Sequence, residues 1–203
     1  MEEIEKNIII TSSGINTINC YVSNENMEFF KRISKNKKVM VLANAAPIGD
    51  GNYIAREIVK DNFLKYTNKV DVVVLDDENI DILLEYDIIY VLGGNINNLL
   101  KLNNNPKFKN KLLQFLKYGI YIGESCGSII LCDDVKYYYD IKKGTKKKYD
   151  VVLDSYKGLG LVDIKIYPHY NKENDFMKDK IQKYINDNSI DIVCLNDGDI
   201  IIY

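Results

Sequence analysis

The sequence is poor in the residues that build metal centres. Its 203 residues include a single histidine and no tryptophan. A zinc site needs several histidine or cysteine ligands at close spacing, and the chain has no Cys-x-x-Cys pair. Buried, reduced thiols are the simpler interpretation of its cysteines. We therefore expect no metal and no cofactor. The four cysteines are Cys20, Cys126, Cys132 and Cys194.

The chain also lacks a strong net charge and a long apolar run. A formal net charge of −2 argues against nucleic-acid binding driven by overall charge. The acidic segment Met1–Lys6 runs directly into a predicted strand, so it does not resemble a signal peptide. No apolar run approaches the roughly 20 residues that span a membrane. We expect a cytoplasmic monomer or homodimer with neither a nucleic-acid nor a membrane partner.

What remains is the composition of an ordinary globular chain, with 46% hydrophobic and 28% charged residues. No stretch has the character of a linker, so we expect one domain over residues 1–203. The basic run Lys142–Lys148 is best interpreted as a solvated loop, because short charge runs usually lie at the surface.

Strands and helices alternate over the first two thirds of the chain. This order predicts right-handed crossovers and a parallel sheet, covered on both sides in a three-layer α/β/α sandwich. Asn24 or Asn26 is the expected cap of the first helix. The predicted strands cover residues 7–11, 18–22, 39–43, 70–75 and 88–92, and the predicted helices cover 26–35, 53–66, 78–85, 96–102 and 108–116.

The last third has a different pattern. Residues 137–141 and 149–153 resemble an antiparallel pair joined through the lysine loop. A strand over 164–167 and a helix over 174–186 follow. Strands over 190–195 and 199–203 then flank Asn196-Asp197-Gly198, which is a favoured hairpin turn.

The segment that indicates a catalytic site is Gly123-Glu124-Ser125-Cys126-Gly127. It follows a predicted strand over 120–122 and precedes an apolar segment that can form a helix. Gly-x-Ser-x-Gly between a strand and a helix is the nucleophile elbow, a tight turn that projects the serine from the end of the sheet. Ser125 is therefore the candidate nucleophile, and the backbone N–H of Cys126 is a candidate oxyanion donor.

A serine nucleophile needs a base and a group that orients the base. His169 is the only histidine, and it follows a predicted strand and a proline, where α/β sheets gather their ligands. The orienting acid is less determined by the residues. Asp197 suits the order Ser-His-Asp, whereas three other aspartates would give the order Ser-Asp-His, two of them about two turns along the predicted elbow helix. These alternatives are Asp133, Asp134 and Asp154.

A second oxyanion donor is expected from a glycine turn at a neighbouring strand end. Gly93-Gly94-Asn95 follows the strand over 88–92 and fits this role. We place Asn95 and Glu124 among the substrate-binding residues. A carboxylate at Glu124 would repel an acidic substrate group and attract an ammonium group.

Three segments together resemble the peptidase E family, the serine peptidases that include the cyanophycinases. They are residues 91–100, 121–128 and 158–170, the last containing Gly-Leu-Gly-Leu and Pro-His-Tyr. The resemblance implies a class I glutamine-amidotransferase-like fold and cleavage of small peptides as a dipeptidase or exopeptidase. It implies Ser125 as nucleophile, His169 as base, and Gly94 with Cys126 as oxyanion donors. Asp197 corresponds to the family's late acidic residue before glycine.

The elbow departs from the family pattern Gly-(Trp or Thr)-Ser-Ala-Gly-Ala at three positions. Glu124, Cys126 and Ser128 stand there instead. These changes leave two alternatives to a peptidase: a non-catalytic member of the fold that binds a small molecule, and an amidase or esterase acting on non-peptide substrates.

Overall fold

A computed structural model describes residues 7–17, 22–46, 53–146, 149–150 and 152–203. The predicted strand over 18–22, with Cys20, lies almost entirely outside these residues, as do Lys147 and Lys148 of the lysine loop. In the part of the chain that is described, no helix is both long and apolar enough to cross a membrane.

The described residues contain eight strands: β1 (Ile8–Thr11), β2 (Val39–Leu42), β3 (Val70–Val73), β4 (Ile88–Val91), β5 (Ile120–Glu124), β6 (Lys165–Tyr167), β7 (Ile192–Cys194) and β8 (Ile200–Ile202). Six of them form a mostly parallel sheet in the order β3-β2-β4-β5-β1-β8, and β6 with β7 forms a separate parallel pair. Among the described strands of the large sheet, only β8 runs antiparallel, against β1.

Helices cover both faces of this sheet, because alternate residues of each strand point to opposite sides. On one side Tyr90 and Ile122 pack with the first two helices, and on the other Val91 and Tyr121 pack with the later ones. The predicted α/β class with a mostly parallel sheet is therefore confirmed. The helices are α1 (Asn24–Ser34), α2 (Tyr53–Leu64), α3 (Ile96–Asn103), α4 (Pro106–Phe115), α5 (Cys126–Ile129), α6 (Lys136–Lys142) and α7 (Asp175–Asn188), with short 3-10 helices at Ile80–Glu85 and Tyr170–Lys172.

The cap of α1 differs from the prediction. Ser23 occupies the cap position, and its hydroxyl accepts a hydrogen bond from the backbone N–H of Asn26. Serine and asparagine are both good caps, so composition alone did not choose between neighbouring positions.

The predicted antiparallel pair over 137–141 and 149–153 is wrong. Residues 136–142 form α6, and Tyr137, Tyr138 and Tyr139 are all buried. A strand would point successive side chains to opposite faces, whereas this helix is enclosed by protein around most of its circumference. The Tyr137 hydroxyl both donates to the carbonyl of Ile166 and accepts from its N–H, which anchors the helix to β6.

The elbow helix is shorter than predicted, so Asp133 and Asp134 do not lie along it. It stops because the chain 158–161 comes alongside and supplies hydrogen bonds to the following carbonyls. The N–H of Leu159 donates to Ile130 and that of Gly160 to Cys132. A side chain on Gly158 would meet the Cys132 carbonyl at 2.0 Å, so this approach requires glycine.

The predicted hairpin over 190–203 is also wrong, although its turn exists. The N–H of Asp199 donates to the carbonyl of Asn196 at 3.0 Å. The strands on either side join different sheets, since β7 pairs with β6 and β8 pairs with β1. The turn with Asp197 therefore lies where the chain passes from the small sheet to the large one.

Candidate active site

The strand β5 leads into an elbow with the backbone strain expected of one. Ser125 has φ 51 and ψ −110, a region that non-glycine residues rarely occupy. The flanking glycines permit the close approach of strand and helix. A Cβ added to Gly123 would lie 2.7 Å from the carbonyl oxygen of Gly127. A Cβ added to Gly127 would lie 2.2 Å from the carbonyl oxygen of Val91. Ser125 is thereby held at the carboxyl end of the sheet.

His169 lies just beyond β6 and faces the serine. It adopts the left-handed conformation, with φ 59 and ψ 30. Its Nε2 atom is 3.0 Å from the Oγ of Ser125. The imidazole is one-third exposed, so it lies at the surface of the site.

Asp197 lies on the opposite edge of the imidazole. Its Oδ1 is 2.6 Å from His169 Nδ1, and its side chain is only 4% exposed. A carboxylate can only accept, so Nδ1 carries the proton and Nε2 of the neutral ring is left to accept from Ser125. The structure thus brings together the three residues expected to carry catalysis.

The three alternative acids are not at the histidine. Asp133 forms an ion pair with Lys165 and is mostly exposed. Asp134 accepts from the backbone N–H of Lys136, and Asp154 is exposed.

Two residues that sequence reasoning missed contact the acid. Ser12, in the loop after β1, donates to Asp197 Oδ1 at 3.0 Å, and its oxygen accepts from the backbone N–H of His169 at 2.8 Å. Lys172 Nζ lies 2.5 Å from Asp197 Oδ2. Neither belongs to a recognisable motif, because only the fold brings the segments that carry them close to Asp197.

These contacts decide the ionisation of the acid. Burial alone would raise the pKa of Asp197, but hydrogen bonds from Lys172, His169 and Ser12 outweigh it, so the pKa lies below its usual value. Asp197 is therefore an anion throughout the neutral range.

The two expected oxyanion donors lie next to each other. Cys126 is the first residue of α5, and its thiol donates to the Gly94 carbonyl at 3.3 Å. Gly94 has φ 137, and a Cβ there would meet the Ala45 carbonyl at 2.4 Å, so the turn requires glycine. A Cβ on Gly93 would lie 2.9 Å from the Ser125 Cβ. The glycine turn thus packs directly on the elbow.

The two expected substrate-binding residues have other contacts. Asn95 caps α3, its side-chain oxygen accepting from the Asn97 N–H. Glu124 is 6% exposed, and its carboxylate oxygens accept from Asn16 Nδ2 at 3.1 Å and from the Tyr90 hydroxyl at 2.7 Å. Both carboxylate oxygens of Glu124 are thus bonded inside the protein, and its role in substrate binding stays a prediction, as does that of Asn95.

Comparisons with known proteins identify a family that matches nearly the whole chain. The model of peptidase family S51 matches residues 8–203. An uncharacterized peptidase of Listeria monocytogenes is 36% identical over 106 residues, which is 52% of this chain and 49% of that protein. The chain thus matches about half the length of this curated relative, and 42% of that of a second, from Listeria innocua.

Solved structures extend the similarity over nearly the whole chain. A Listeria monocytogenes protein provisionally assigned as a peptidase E superposes with a TM-score of 0.73 at 25% identity, covering 97% of this chain and 93% of that one. A peptidase from an acI-B1 Actinobacterium shares the fold, with a TM-score of 0.66 at 15% identity over 94% of this chain and 80% of its own.

Proposed function

This chain belongs to peptidase family S51, and on that premise we propose that it is a serine peptidase that hydrolyses short peptides with Ser125 as nucleophile. The observation that carries the proposal is the continuous series of contacts from Ser125 Oγ through His169 to Asp197, at 3.0 Å and 2.6 Å. The exopeptidase or dipeptidase specificity rests on the resemblance to peptidase E.

The geometry supports acyl transfer in two stages. His169 Nε2 takes the Ser125 proton as Oγ attacks the peptide carbonyl, and later returns it to the leaving amine. Water then attacks the acyl-enzyme with the same histidine as base. Asp197 fixes the imidazole tautomer and stabilises the imidazolium that forms in each stage.

The developing oxyanion is assigned to the backbone N–H groups of Gly94 and Cys126. Both lie at the carboxyl ends of adjacent parallel strands, and the thiol-to-carbonyl contact between the two residues holds these segments together. Cys126 contributes through its backbone in this proposal, so its thiol takes no part in the bond-making steps.

A dipeptide and aminoacyl-amide library, together with fluorophosphonate labelling, tests the proposal. Ser125→Ala is expected to abolish turnover and labelling, whereas Cys126→Ala keeps both, because alanine retains the backbone N–H. Circular dichroism of both variants checks that they fold. Activity that survives in Ser125→Ala but disappears in Cys126→Ala would assign the nucleophile to the thiol and overturn the proposal.

A further inference from the structure

We propose that Glu124 is a positioning residue whose ionised side chain locks the oxyanion turn against the nucleophile. This inference rests on the function proposed above. Glu124 directly precedes Ser125, yet its carboxylate points into the protein and contacts three separate segments: the loop after β1, the strand β4, and the Gly93–Gly94 turn.

The contacts join the parts whose relative placement matters for acyl transfer. Asn16 donates from the β1 loop and Tyr90 from β4. The carboxylate also packs against the turn that carries the second oxyanion donor, since a Cβ added to Gly93 would lie 3.3 Å from Glu124 Oε1. The Tyr90 hydroxyl in turn accepts from the backbone N–H of Ile15 at 3.2 Å. One carboxylate therefore couples the elbow to both neighbouring strand ends.

The ionised form is the one that fits this environment. A carboxylate accepts at both oxygens, which suits the donors that Asn16 and Tyr90 present to it. A protonated carboxyl must donate once, and it would then face an N–H or O–H that already points towards it. Protonation of Glu124 should thus release at least one contact and loosen the glycine turn.

The Glu124 carboxylate can be protonated because burial disfavours its charged form. Burial raises the pKa of Glu124 to about 7, against the hydrogen bonds from Asn16 and Tyr90, which lower it. Two titratable groups face the carboxylate from other elements: Tyr90 from β4, and the anionic Asp197 from the turn between β7 and β8, which raises the pKa further. Active enzyme then requires an ionised Glu124 as well as a neutral His169.

Two protonations that each reduce activity give a distinctive pH profile. If both the base and the positioning residue must lose a proton, the logarithm of the rate rises on the acid side with a slope above one and approaching two. If only His169 matters, the slope is one. The rate of fluorophosphonate labelling from pH 5 to 9 measures this without knowledge of the natural substrate.

We expect Glu124→Gln to label about 10-fold to 100-fold more slowly at pH 8, since small displacements of catalytic groups have effects of that size. Its acid limb is expected to have a slope of one. Tyr90→Phe removes one hydrogen bond that favours the carboxylate, so it should move the second protonation to higher pH. Tyr86→Phe is the matched control: it also removes one hydroxyl-to-carboxylate bond, at 3.0 Å to Asp71, away from the elbow.

A purely structural role of Glu124 predicts a different pH dependence of the labelling rate. Glu124→Gln would then lower the rate by the same factor at every pH, and the wild-type slope would already be one; either result overturns the inference. Should Glu124→Gln fail to fold, Tyr90→Phe decides the matter, and an unshifted acid limb in that variant counts against the proposal. Labelling of Ser125→Ala at the wild-type rate would instead refute the proposed function, so the two failures are distinguishable.

Discussion

The Nε2 atom of His169 lies 3.0 Å from the Oγ of Ser125, although the two residues follow strands of different sheets. Ser125 follows β5 of the large sheet, whereas His169 and Asp197 follow β6 and β7 of the small one. Ser12 bridges these two parts, because it extends from β1 and contacts both His169 and Asp197. The alignment of the proposed nucleophile and base thus depends on how the two sheets are held together.

Ser12→Ala should therefore weaken catalysis without removing any of the three proposed catalytic side chains. The change leaves the backbone N–H of His169 without its acceptor and deprives Asp197 of one donor. We expect kcat to fall about 10-fold, corresponding to the loss of one or two hydrogen bonds of about 1 kcal/mol each. Steady-state kinetics measures this. An unchanged kcat would show that the bridge has no part in orienting the base.

Asp197→Asn should have a much larger effect. An amide at this position cannot stabilise the imidazolium and allows the wrong tautomer of His169, a change that lowers kcat about 10⁴-fold in serine proteases with a comparable arrangement. Asp133→Asn serves as the control, because Asp133 is exposed and paired with Lys165. If Asp197→Asn turned over at the wild-type rate while Asp154→Asn collapsed, the order of the catalytic residues would be Ser-Asp-His instead.

Lys172→Met tests the charge on the acid through stability. Because the pKa of Asp197 in the folded protein lies below its usual value, its stabilising contribution is present above the unfolded pKa and is lost as pH falls through the folded one. The variant should be less stable than wild type at neutral pH, with the difference shrinking as pH falls below about 4. The effect is modest, since Lys172 is 42% exposed and screened by water.

Urea unfolding between pH 2.5 and 7 measures this difference. Lys183→Met is a suitable control, because it breaks an exposed i,i+4 pair with Asp187 that is remote in sequence from the site. A stability difference between Lys172→Met and wild type that stayed constant over the whole range would show that the lysine acts through packing and not through the charge of Asp197.

The elbow could be predicted from sequence because its requirements are local. Glycine on both sides of Ser125 is what a strand-to-helix turn of this tightness needs, and the alternation of strands and helices before it specifies a parallel sheet. His169 could be named because it is the only histidine. The positions of these residues relative to strand ends then followed from the topology of α/β proteins.

The remaining site residues depend on long-range packing. Asp197 has the local sequence of a hairpin turn, and nothing nearby shows that its flanking strands join different sheets. Tyr137 to Tyr139 have strong strand propensity, which burial within a helix overrides. Glu124 illustrates the same limit: its position beside the nucleophile was evident, but the direction of its side chain depends on donors from Asn16 and Tyr90, 108 and 34 residues away.

Glu124→Gln should gain stability relative to wild type as the pH rises, although it is expected to label more slowly. Burial raises the pKa of Glu124 from 4.5 to about 7, so the folded state binds the proton more tightly than the unfolded state does. The associated stability is fully present below pH 4.5 and is lost as pH rises through 7. At about 1.4 kcal/mol per pH unit, the free energy of unfolding of wild type should fall by about 3 kcal/mol relative to the variant.

Urea unfolding from pH 4 to 8.5 measures this, with Glu78→Gln as an exposed control. Parallel curves for wild type and Glu124→Gln would show that the buried carboxyl does not titrate in this range. If the variant becomes the more stable protein as the pH rises, the charge at this site is retained at the expense of stability, as is often the case at functional positions.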